Sequence, residues 1–225
     1  MASGPTLPDQ RGAAEALAAI DNYRLDLPKR MRDSIATAQA PLPDDPIFKG
    51  HDARLIGSAR LSLEAAAQRA SALGIPAMIL SDAIEGEAAD IARMHAAMAR
   101  EIALRDRPFR KPLLLLSGGE TTVTLKGNGR GGRNTEFLLA LAIALDGMAG
   151  VYGFAADTDG IDGSESNAGA FIGPDTLVRL YKLGLQPRAS LANNDAFSAF
   201  EALGELFSPG PTGTNVNDFR ALLIL

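Results

Sequence analysis

Short apolar segments that predict strands alternate with helical segments after residue 46. The strand-like segments are ARLIG, IPAMILSD, KPLLLLSGGE, TTVTLKG, GVYGFAADTDG and RALLIL. Between them lie longer segments, such as RLSLEAAAQRASALG and NTEFLLALAIAL, whose apolar residues recur at helical spacing. Strands that alternate with helices of ten or more residues are typical of layered α/β domains. We therefore predict an α/β domain with a largely parallel or mixed sheet flanked by helices.

The segment before residue 46 has a different character. Arg11–Tyr23 and the stretch KRMRDSIATA predict two helices, and no strand is predicted there. PLPDDP, Pro41–Pro46, contains three prolines in six residues and is typical of a linker. We predict a helical segment over residues 1–45 and an α/β domain over residues 46–225.

Composition excludes several classes of function. The net charge of −5 and a pI near 5.1 argue against nucleic acid or an anionic membrane as the main partner. The chain has no cysteine, which excludes disulfides, zinc–thiolate sites and a cysteine nucleophile. The opening MASGPTLPDQRG lacks the pattern of a signal peptide, and the apolar runs are too short to span a membrane. We expect a soluble cytoplasmic protein.

Four polar, glycine-rich stretches occur in the α/β segment, and three of them directly follow predicted strands. They are SGGETT, GNGRGGRN, DTDGIDG and PGPTGTNVND. In open α/β sheets, ligands bind in the loops beyond the carboxyl ends of the strands. Together these stretches predict the rim of one ligand site.

The stretch GNGRGGRN satisfies G-x-G-x-x-G through Gly127, Gly129 and Gly132, but its context argues against a dinucleotide fold. It follows a pair of strands that resembles a hairpin, and no acidic residue lies at the expected distance. Arg130 and Arg133 suit a terminal phosphate or a carboxylate, as do converging backbone N–H groups. A mobile hairpin loop with solvated arginines is the alternative. No Walker A pattern occurs, so a P-loop kinase is excluded.

The stretch DTDGIDG places Asp157, Asp159 and Asp162 after a buried strand. Their spacing differs from that of an EF-hand loop. Carboxylates here could bind Mg²⁺ that bridges phosphates, accept hydrogen bonds from hydroxyl groups, or take a proton from an alcohol. A turn that caps a helix is the alternative.

The other two stretches allow a binding role and a structural one equally. In SGGETT, Ser117 and the two glycines could bind an anion while Glu120 faces a metal or a hydroxyl group; a β-turn is the alternative. The C-terminal stretch is rich in polar side chains, and an exposed loop is the alternative there. His95 lies on the apolar face of its predicted helix, which favours a buried structural histidine.

These motifs resemble a known family. The segments LLLLSGGETTVTLKGNGRGGRNTEFLLALAIAL, GFAADTDGIDG and GPTGTNVNDFRALLIL are similar to the C-terminal MOFRL region of the glycerate 2-kinase family, whose members are often named hydroxypyruvate reductase. The similarity covers residues 112–225. Upstream, ASGPTLPD, LIGSARLSLEAAAQRASALG and EGEAADIARMHAAMA also resemble the family.

The resemblance implies ATP-dependent phosphorylation of D-glycerate at the 2-hydroxyl with Mg²⁺, within glycerate and tartrate metabolism. Family members are longer, and their first half is a Rossmann-like domain that supplies a catalytic lysine. Residues 1–45 would then be the helical remnant of that domain, and we expect the fragment to turn over poorly. The arginine of the GGRN motif corresponds to Arg133. Thr135 replaces a usual glutamine, and Ala59 replaces the asparagine of a common GSN motif.

From the residues and the resemblance together we predict a site that uses ATP and Mg²⁺. The predicted catalytic residues are Arg133, Asp157 and Asp159, and the predicted metal ligands are Asp157 and Asp162. The predicted substrate- and phosphate-binding residues are Ser117, Gly118, Gly119, Glu120, Gly129, Arg130, Gly131, Gly132, Asn134, Thr212, Thr214 and Asn215.

Two other functions remain open at this stage. One is a hydroxypyruvate reductase that uses NAD(P)H, and the other is a non-catalytic binding or assembly module. The N-terminal helices would expose apolar surface without their domain, which makes a homodimer a further expectation.

Overall fold

The computed structural model describes residues 8–39, 41–52 and 54–225. The chain divides into two compact units, Met1–Ile56 and Gly57–Leu225. The predicted boundary after residue 45 lies earlier in the chain than this division. No helix in the described residues is both long and apolar enough to cross a membrane.

The first unit is helical. It contains α1 (Ala13–Asn22), α2 (Lys29–Thr37) and a 3₁₀ turn at Pro46–Phe48. The Glu15 carboxylate accepts a hydrogen bond from the Gly12 N–H at 2.9 Å, which satisfies a free donor at the start of α1. Both predicted helices are therefore present.

Two features of the first unit bear on earlier expectations. Apolar side chains such as Tyr23 and Leu25 are exposed, whereas the homodimer itself stays a prediction. The predicted strand ARLIG begins at Ala53, which lies outside the described residues, and residues 54–57 form no strand. The motif ASGPT also lies outside the described residues.

The second unit is a seven-stranded mixed sheet with helices. The helices are α3 (Ala59–Ala72), α4 (Ala88–Arg105), α5 (Arg133–Leu145), α6 (Thr176–Lys182), α7 (Pro187–Ala192) and α8 (Ala196–Leu203). The strands are β1 (Ala77–Ile79), β2 (Ile84–Glu87), β3 (Leu113–Thr122), β4 (Val151–Asp157), β5 (Gly169–Ile172), β6 (Leu206–Phe207) and β7 (Asp218–Ile224). The α/β class is confirmed, and the sheet is mixed.

The strand order is β1-β3-β7-β4-β5-β6, with β2 also paired to β3. β1 and β2 run parallel to β3, while β7 runs antiparallel to both β3 and β4, and the β4–β5 and β5–β6 pairs are antiparallel. β3 and β4 therefore point the same way on either side of β7. β7 begins at Asp218, which pairs with Gly119 near the end of β3 and with Asp157 at the end of β4. This pairing positions the candidate site.

The core lies between the sheet and the paired helices α4 and α5. Helix α4 presents alanines, including Ala92, Ala96 and Ala99, to larger side chains of α5 such as Phe137 and Leu141. Small residues on one helix let the two backbones approach closely, and the larger partners fill the space. Helix α5 is buried along most of its length, so the residue at its start is fixed relative to the sheet.

Several local predictions need correction. The stretch TTVTLKG is not a second strand, because β3 itself runs on to Thr122 and residues 123–126 are irregular, so no hairpin precedes the glycine-rich stretch. Apolar spacing predicts one helix over EGEAADIARMHAAMAREIALR, but its first residues, EGE, belong to β2 and pair with β3. The stretch NDAFSAFEALGELF likewise predicts one helix, but helix α8 ends at Leu203 and the residues after Gly204 include β6. Pairing with distant strands overrides the local pattern in both segments.

Candidate functional site

Arg133 is the centre of the site and the first residue of α5. Its Nε donates to Asp218 Oδ1 at 2.7 Å and its Nη2 donates to Asp157 Oδ2 at 2.5 Å. Nη1 lies 3.5 Å from Oε1 of the exposed Glu120. The guanidinium is thus held along two of its edges by carboxylates at the end of the sheet, a charge-assisted and directional arrangement.

Asp218 lies between two arginines and has no exposed side-chain surface. Its Oδ1 accepts from Arg133 and from Asn134 Nδ2 at 2.9 Å, while its Oδ2 accepts from Arg220 Nη2 at 2.6 Å. The backbone N–H of Thr121 also donates to Oδ2, at 3.3 Å. A buried carboxylate requires such compensation, because burial without partners carries a large desolvation cost.

Asp157 ends β4 and is almost fully buried. Burial raises the pKa of Asp157 to about 6, against the opposing effects of the Asp159 N–H and the Arg133 guanidinium. A carboxyl group with a pKa near 6 is mostly ionised at pH 7, and it can still take up a proton during a reaction. Asp157 therefore has the properties of a general base.

The loop after β4 and the loop before β7 are bound to each other. Thr158 Oγ1 donates to Asn217 O at 2.8 Å, and Asn215 Nδ2 donates to Asp159 Oδ2 at 3.1 Å. A Cβ at Gly160 would lie 2.2 Å from the Gly210 carbonyl oxygen, so only glycine permits this approach. The two predicted stretches thus form one structure beside Asp157.

The predicted residues of the C-terminal stretch lie on this joined surface. The Thr212 hydroxyl donates to Thr158 O at 2.5 Å, and the backbone N–H of Thr212 donates to Asp159 O. Thr212, Thr214 and Asn215 are exposed. They are placed near Asp159 and accessible to a ligand, and their binding role stays a prediction.

A cavity of about 760 Å³ opens beside Arg133. Its wall combines the end of β3 (Glu120–Thr122), the glycines next to Arg133, and part of the segment Asn193–Asp195 and the following Ala196. Apolar side chains, Val123 and Leu125, line it together with the buried carboxyl group of Glu136. Burial raises the pKa of Glu136, although the Asn194 amide donates to that carboxyl group. The size and mixed lining are typical of a small-molecule site.

The backbone N–H groups of the glycine-rich stretch are largely occupied by the protein itself. Asn194 Oδ1 accepts from the N–H groups of Lys126 and Gly127, and Asn193 accepts from those of Asn128 and Gly129. This geometry differs from the predicted cradle of free N–H groups.

The glycines of this stretch are explained by close packing. A Cβ at Gly129 would lie 2.4 Å from Asp195, and one at Gly132 would lie 2.4 Å from Asp162. Gly131 has φ +148, a backbone conformation that favours glycine. Packing and backbone conformation thus explain Gly129, Gly131 and Gly132, which also line the cavity, and their phosphate-binding role stays a prediction.

Arg130 differs from Arg133 in its surroundings. Its guanidinium donates to both oxygens of Glu165, at 3.1 and 2.6 Å, and stacks on the Phe197 ring at 4.3 Å. It does not line the cavity beside Arg133. Arg130 therefore ties the glycine-rich stretch to its neighbours, which corrects the expectation that both arginines face one ligand.

The stretch SGGE lies inside β3 instead of forming a turn. The Ser117 hydroxyl is buried 2.9 Å from Nε2 of His95, whose Nδ1 lies 2.8 Å from the Ile91 carbonyl oxygen. A neutral His95 that donates from Nδ1 and accepts from Ser117 satisfies both contacts. Burial lowers the pKa of His95 to about 4, which agrees with a neutral structural histidine, as predicted.

The glycines after Ser117 serve packing as well. A Cβ at Gly119 would lie 2.2 Å from the Ile84 carbonyl oxygen of β2, and Gly118 is packed below Leu63 of α3. Ser117, Gly118 and Gly119 are all buried, so the structure gives them a role in the sheet and not in anion binding. Of the predicted residues in this stretch, only Glu120 faces the cavity near Arg133.

Asp162 caps helix α5 from a distant loop. Its Oδ1 accepts from the Asn134 N–H at 2.9 Å, and its Oδ2 accepts from the Thr135 N–H and the Thr135 hydroxyl, both at 2.8 Å. Burial raises the pKa of Asp162, against these hydrogen bonds. Such contacts neutralise the free donors at a helix N-terminus and favour a carboxylate there.

The capping arrangement bears on two predicted roles. Asn134 is fully buried, and its Nδ2 bridges Asp162 and Asp218, so it is not accessible to a ligand. Both oxygens of Asp162 are occupied, which gives this residue a structural role in place of the predicted metal-binding one. Within residues 8–39, 41–52 and 54–225, no group of three or more histidine or acidic side chains is arranged to hold a metal ion.

Three features of the site were missed in the sequence. They are the partnership of Asp218 with Arg133, the buried Arg220, and the oxygens that Asn193–Asp195 supply to the glycine-rich stretch. One signal was present for Arg220, since a charged residue at the start of the apolar strand RALLIL is unusual. The segment Asn193–Asp195 carried no signal, because its role depends on a tertiary contact.

Sequence comparison identifies relatives of the chain. The model of the MOFRL family matches residues 113–218. An Agrobacterium vitis protein whose name refers to hydroxypyruvate reductase is 46 % identical over the whole chain, which covers 51 % of that protein. D-glycerate 2-kinase from Thermotoga maritima is 37 % identical over the whole chain, which covers 53 % of it.

A further relative and a solved structure extend the comparison. Glycerate kinase from Macaca fascicularis is 30 % identical over the whole chain, which covers 68 % of that protein. The crystal structure of glycerate kinase from Thermotoga maritima matches 99 % of this chain and 53 % of its own, with a TM-score of 0.87 and 36 % identity. The chain thus spans about half the length of the Agrobacterium and Thermotoga relatives.

Proposed function

Since the chain belongs to the glycerate kinase family, we propose that it supplies one wall of an ATP- and Mg²⁺-dependent D-glycerate 2-kinase active site. The proposed reaction transfers a phosphoryl group from ATP to the 2-hydroxyl of D-glycerate and gives 2-phosphoglycerate. Relatives that carry the names D-glycerate 2-kinase and glycerate kinase support this choice of reaction.

The observation that carries the proposal is the position of Arg133. Two carboxylates occupy its Nε and one side of its Nη2, while Nη1 faces the side of the cavity near Glu120. A guanidinium has five N–H donors, so three donors of Arg133 remain for an oxyanion. Phosphoryl transfer depends mainly on positioning and on neutralising charge, which are the two properties that a fixed arginine supplies.

The residues present fit a nucleotide in part. The cavity of about 760 Å³ is lined by apolar side chains, by Arg133 and by the carboxyl groups of Glu85, Glu120 and Glu136. The apolar side chains suit a flat apolar group, and an anionic tail there would need a bound cation beside the arginine. Mg²⁺ prefers few protein ligands and retains water molecules, so one or two carboxylates suffice for it. Asp218 is already bound between two arginines, so the remaining carboxylates near Arg133 are Asp157 and Glu120, with Asp159 next to Asp157.

Asp157 has the second role in the proposal, as the base that accepts the proton of the 2-hydroxyl. Its raised pKa suits proton uptake near neutral pH, and its ion pair with Arg133 supports a position near the proposed phosphate. Asp159 adjoins it and donates its backbone N–H to Asp157 Oδ1, which orients the carboxyl group.

Reduction of hydroxypyruvate is the second candidate, because the Agrobacterium relative's name refers to it. A nicotinamide cofactor requires N–H groups of a glycine-rich turn to approach its pyrophosphate. Here those groups mostly donate to Asn193, Asn194 and Asp195. This occupancy favours the kinase over the reductase.

One assay separates the candidates. The protein expressed from its complete reading frame is incubated with ATP, Mg²⁺ and D-glycerate, and in parallel with NADH and hydroxypyruvate. The kinase proposal predicts ADP and 2-phosphoglycerate in the first mixture and unchanged NADH in the second. Oxidation of NADH without ATP would establish the reductase instead, and no turnover in either mixture would favour a binding or assembly module.

A further inference from the structure

Beneath Arg133 lies a second arginine that the proposed reaction does not use. Arg220, in β7, is fully buried, and its Nη2 donates to Asp218 at 2.6 Å and to the Thr121 hydroxyl at 3.0 Å. Its guanidinium also lies over the Phe137 ring, at 5.2 Å. In the part of the chain that the structure describes, its Nε and Nη1 have no hydrogen-bond partner.

This arrangement is costly for stability alone. Burying charges and leaving two guanidinium nitrogens of Arg220 without partners carries a desolvation cost that a packed apolar pair would avoid. Burial lowers the pKa of Arg220, and the nearby charge of Arg133 acts in the same direction. A buried ion pair that is poor for stability suits a role in fixing one geometry.

Asp218 fixes the orientation of the Arg133 side chain. Asp218 faces Arg133 through Oδ1 and Arg220 through Oδ2, so a shift of the carboxyl group moves the Arg133 Nε–H with it. Arg220 and the Thr121 N–H hold Oδ2 from the interior side, where nothing is exposed to solvent. Asp218 therefore holds the Arg133 side chain, which is 25 % exposed at the cavity, in a fixed position relative to β3 and β7.

We propose that Asp218, held in place by Arg220, is the positioning residue that aims the free donors of Arg133 into the cavity. Neither Asp218 nor Arg220 touches the ligand in this proposal. The inference rests on the proposed function only in assigning a phosphate to those donors. The aiming itself is a property of the folded protein.

A double-mutant cycle tests the kinetic consequence. Asp218→Asn keeps the shape but presents an amide N–H₂ to one of the two arginine donors, so the Arg133 contact is lost or displaced. We expect kcat to fall about 100-fold with KM for D-glycerate changed less than about threefold, since misplacing a catalytic group by about 1 Å costs that much. In an Arg133→Ala background, the same substitution should change kcat by less than about twofold, because coupled residues are not additive.

The matched control removes an ion pair elsewhere. Glu205→Gln deletes the carboxylate partner of Arg179, which lies at the β5–β6 side of the sheet and not at the cavity beside Arg133. Its kcat should equal that of the unmodified protein within about twofold. If Asp218→Asn lowers kcat equally with and without Arg133, Asp218 acts independently of Arg133 and the proposal is overturned.

A second measurement does not depend on activity. The Nε–H of Arg133 should give an NMR signal protected from exchange, assigned by its loss in Arg133→Lys. Asp218→Asn should remove the protection, and Glu205→Gln should retain it. If Asp218→Asn does not fold, Asp218→Glu, which keeps the charge but displaces the carboxyl group, should shift the signal and lower kcat.

The two measurements separate the proposals. Protection of the Arg133 Nε–H that persists in the folded Asp218 variant overturns the positioning role, whatever the enzyme catalyses. Loss of protection together with an unmodified protein that fails to phosphorylate D-glycerate supports the positioning role and rejects the proposed reaction.

Discussion

At the scale of single residues, the site is a group of opposite charges packed at one end of a sheet. Arg133 and Arg220 are balanced by Asp157 and Asp218, and Glu120 stands at the exposed side. Of the two arginines in this group, Arg133 is the one that lines the cavity. This position distinguishes it from Arg130, which is fixed by Glu165 outside the cavity.

The raised pKa of Asp157 has a measurable consequence for stability. A carboxyl group whose pKa rises to about 6 on folding binds protons more tightly in the folded state. Its contribution to stability is therefore full below its ordinary pKa and is lost as the pH rises through about 6. Asp157→Asn removes this dependence. The free energy of unfolding of the variant should therefore rise relative to that of the unmodified protein as the pH increases from 4 to 7.

Urea unfolding at pH 4, 5, 6 and 7 checks the Asp157 prediction. Asp146→Asn is the control, because Asp146 is an exposed residue at the end of α5 in a left-handed conformation that asparagine tolerates. If the difference in free energy of unfolding between Asp157→Asn and the unmodified protein stays constant from pH 4 to pH 7, the raised pKa of Asp157 is contradicted.

The sequence indicated some of these residues and not their arrangement. Asp157 and Asp159 were predicted because polar residues after strands of an α/β sheet gather at one edge, and Arg133 was singled out by the family resemblance of its GGRN motif. The structure brings Arg133 and Asp157 into contact. The contact of Asp218 with Arg133 spans 85 positions, and local patterns carry no information about such a pair. Ser117 was assigned to anion binding because the sequence SGG is compatible with both a buried strand and a glycine-rich turn.

At the scale of elements, helix α5 connects the site to the core. Its first residue is Arg133, its start is capped by Asp162, and its apolar side chains are buried against α4 and the sheet. A helix fixed in this way presents its N-terminal side chain with little freedom, which suits a catalytic arginine.

Removal of the Asp162 cap should destabilise the fold. Asp162→Ala leaves the buried N–H groups of Asn134 and Thr135 without partners, and we expect a loss of about 2–4 kcal/mol in the free energy of unfolding. Ser164→Ala, in the same loop, is exposed and should change it by less than about 0.5 kcal/mol. Equal stability of the two variants, measured by urea unfolding, would show that the cap is dispensable.

The sequence did not predict the order of the strands in the sheet. The alternation of strands and helices correctly indicated an α/β domain, and the ends of β3 and β4 were identified closely. The insertion of β7 between β3 and β4 was not predicted, because it depends on pairs of residues far apart in the chain, such as Gly119 with Asp218 and Asp157 with Asp218. That insertion brings Asp218 to Arg133, so the same limit explains the residue that was missed.

At the scale of the whole molecule, an acidic protein is proposed to bind two anionic substrates. The net charge is −5, so attraction of ATP and D-glycerate depends on local positive charge. Arg133 supplies the accessible guanidinium on the wall described here, but carboxylates surround it, so the proposed reaction also needs the positive charge of Mg²⁺. The donors of Arg133 that the carboxylates leave free make it the residue on which the proposed function depends.

Replacement of Arg133 is therefore the most direct measurement. We expect Arg133→Ala to lower kcat for D-glycerate phosphorylation by about 100- to 1,000-fold, as loss of a fixed donor to transition-state charge does in other enzymes. Arg179→Ala, which removes an arginine paired with Glu205 away from the cavity beside Arg133, should lower it less than about threefold. A folded Arg133→Ala variant that retains the kcat of the unmodified protein would contradict the proposed site.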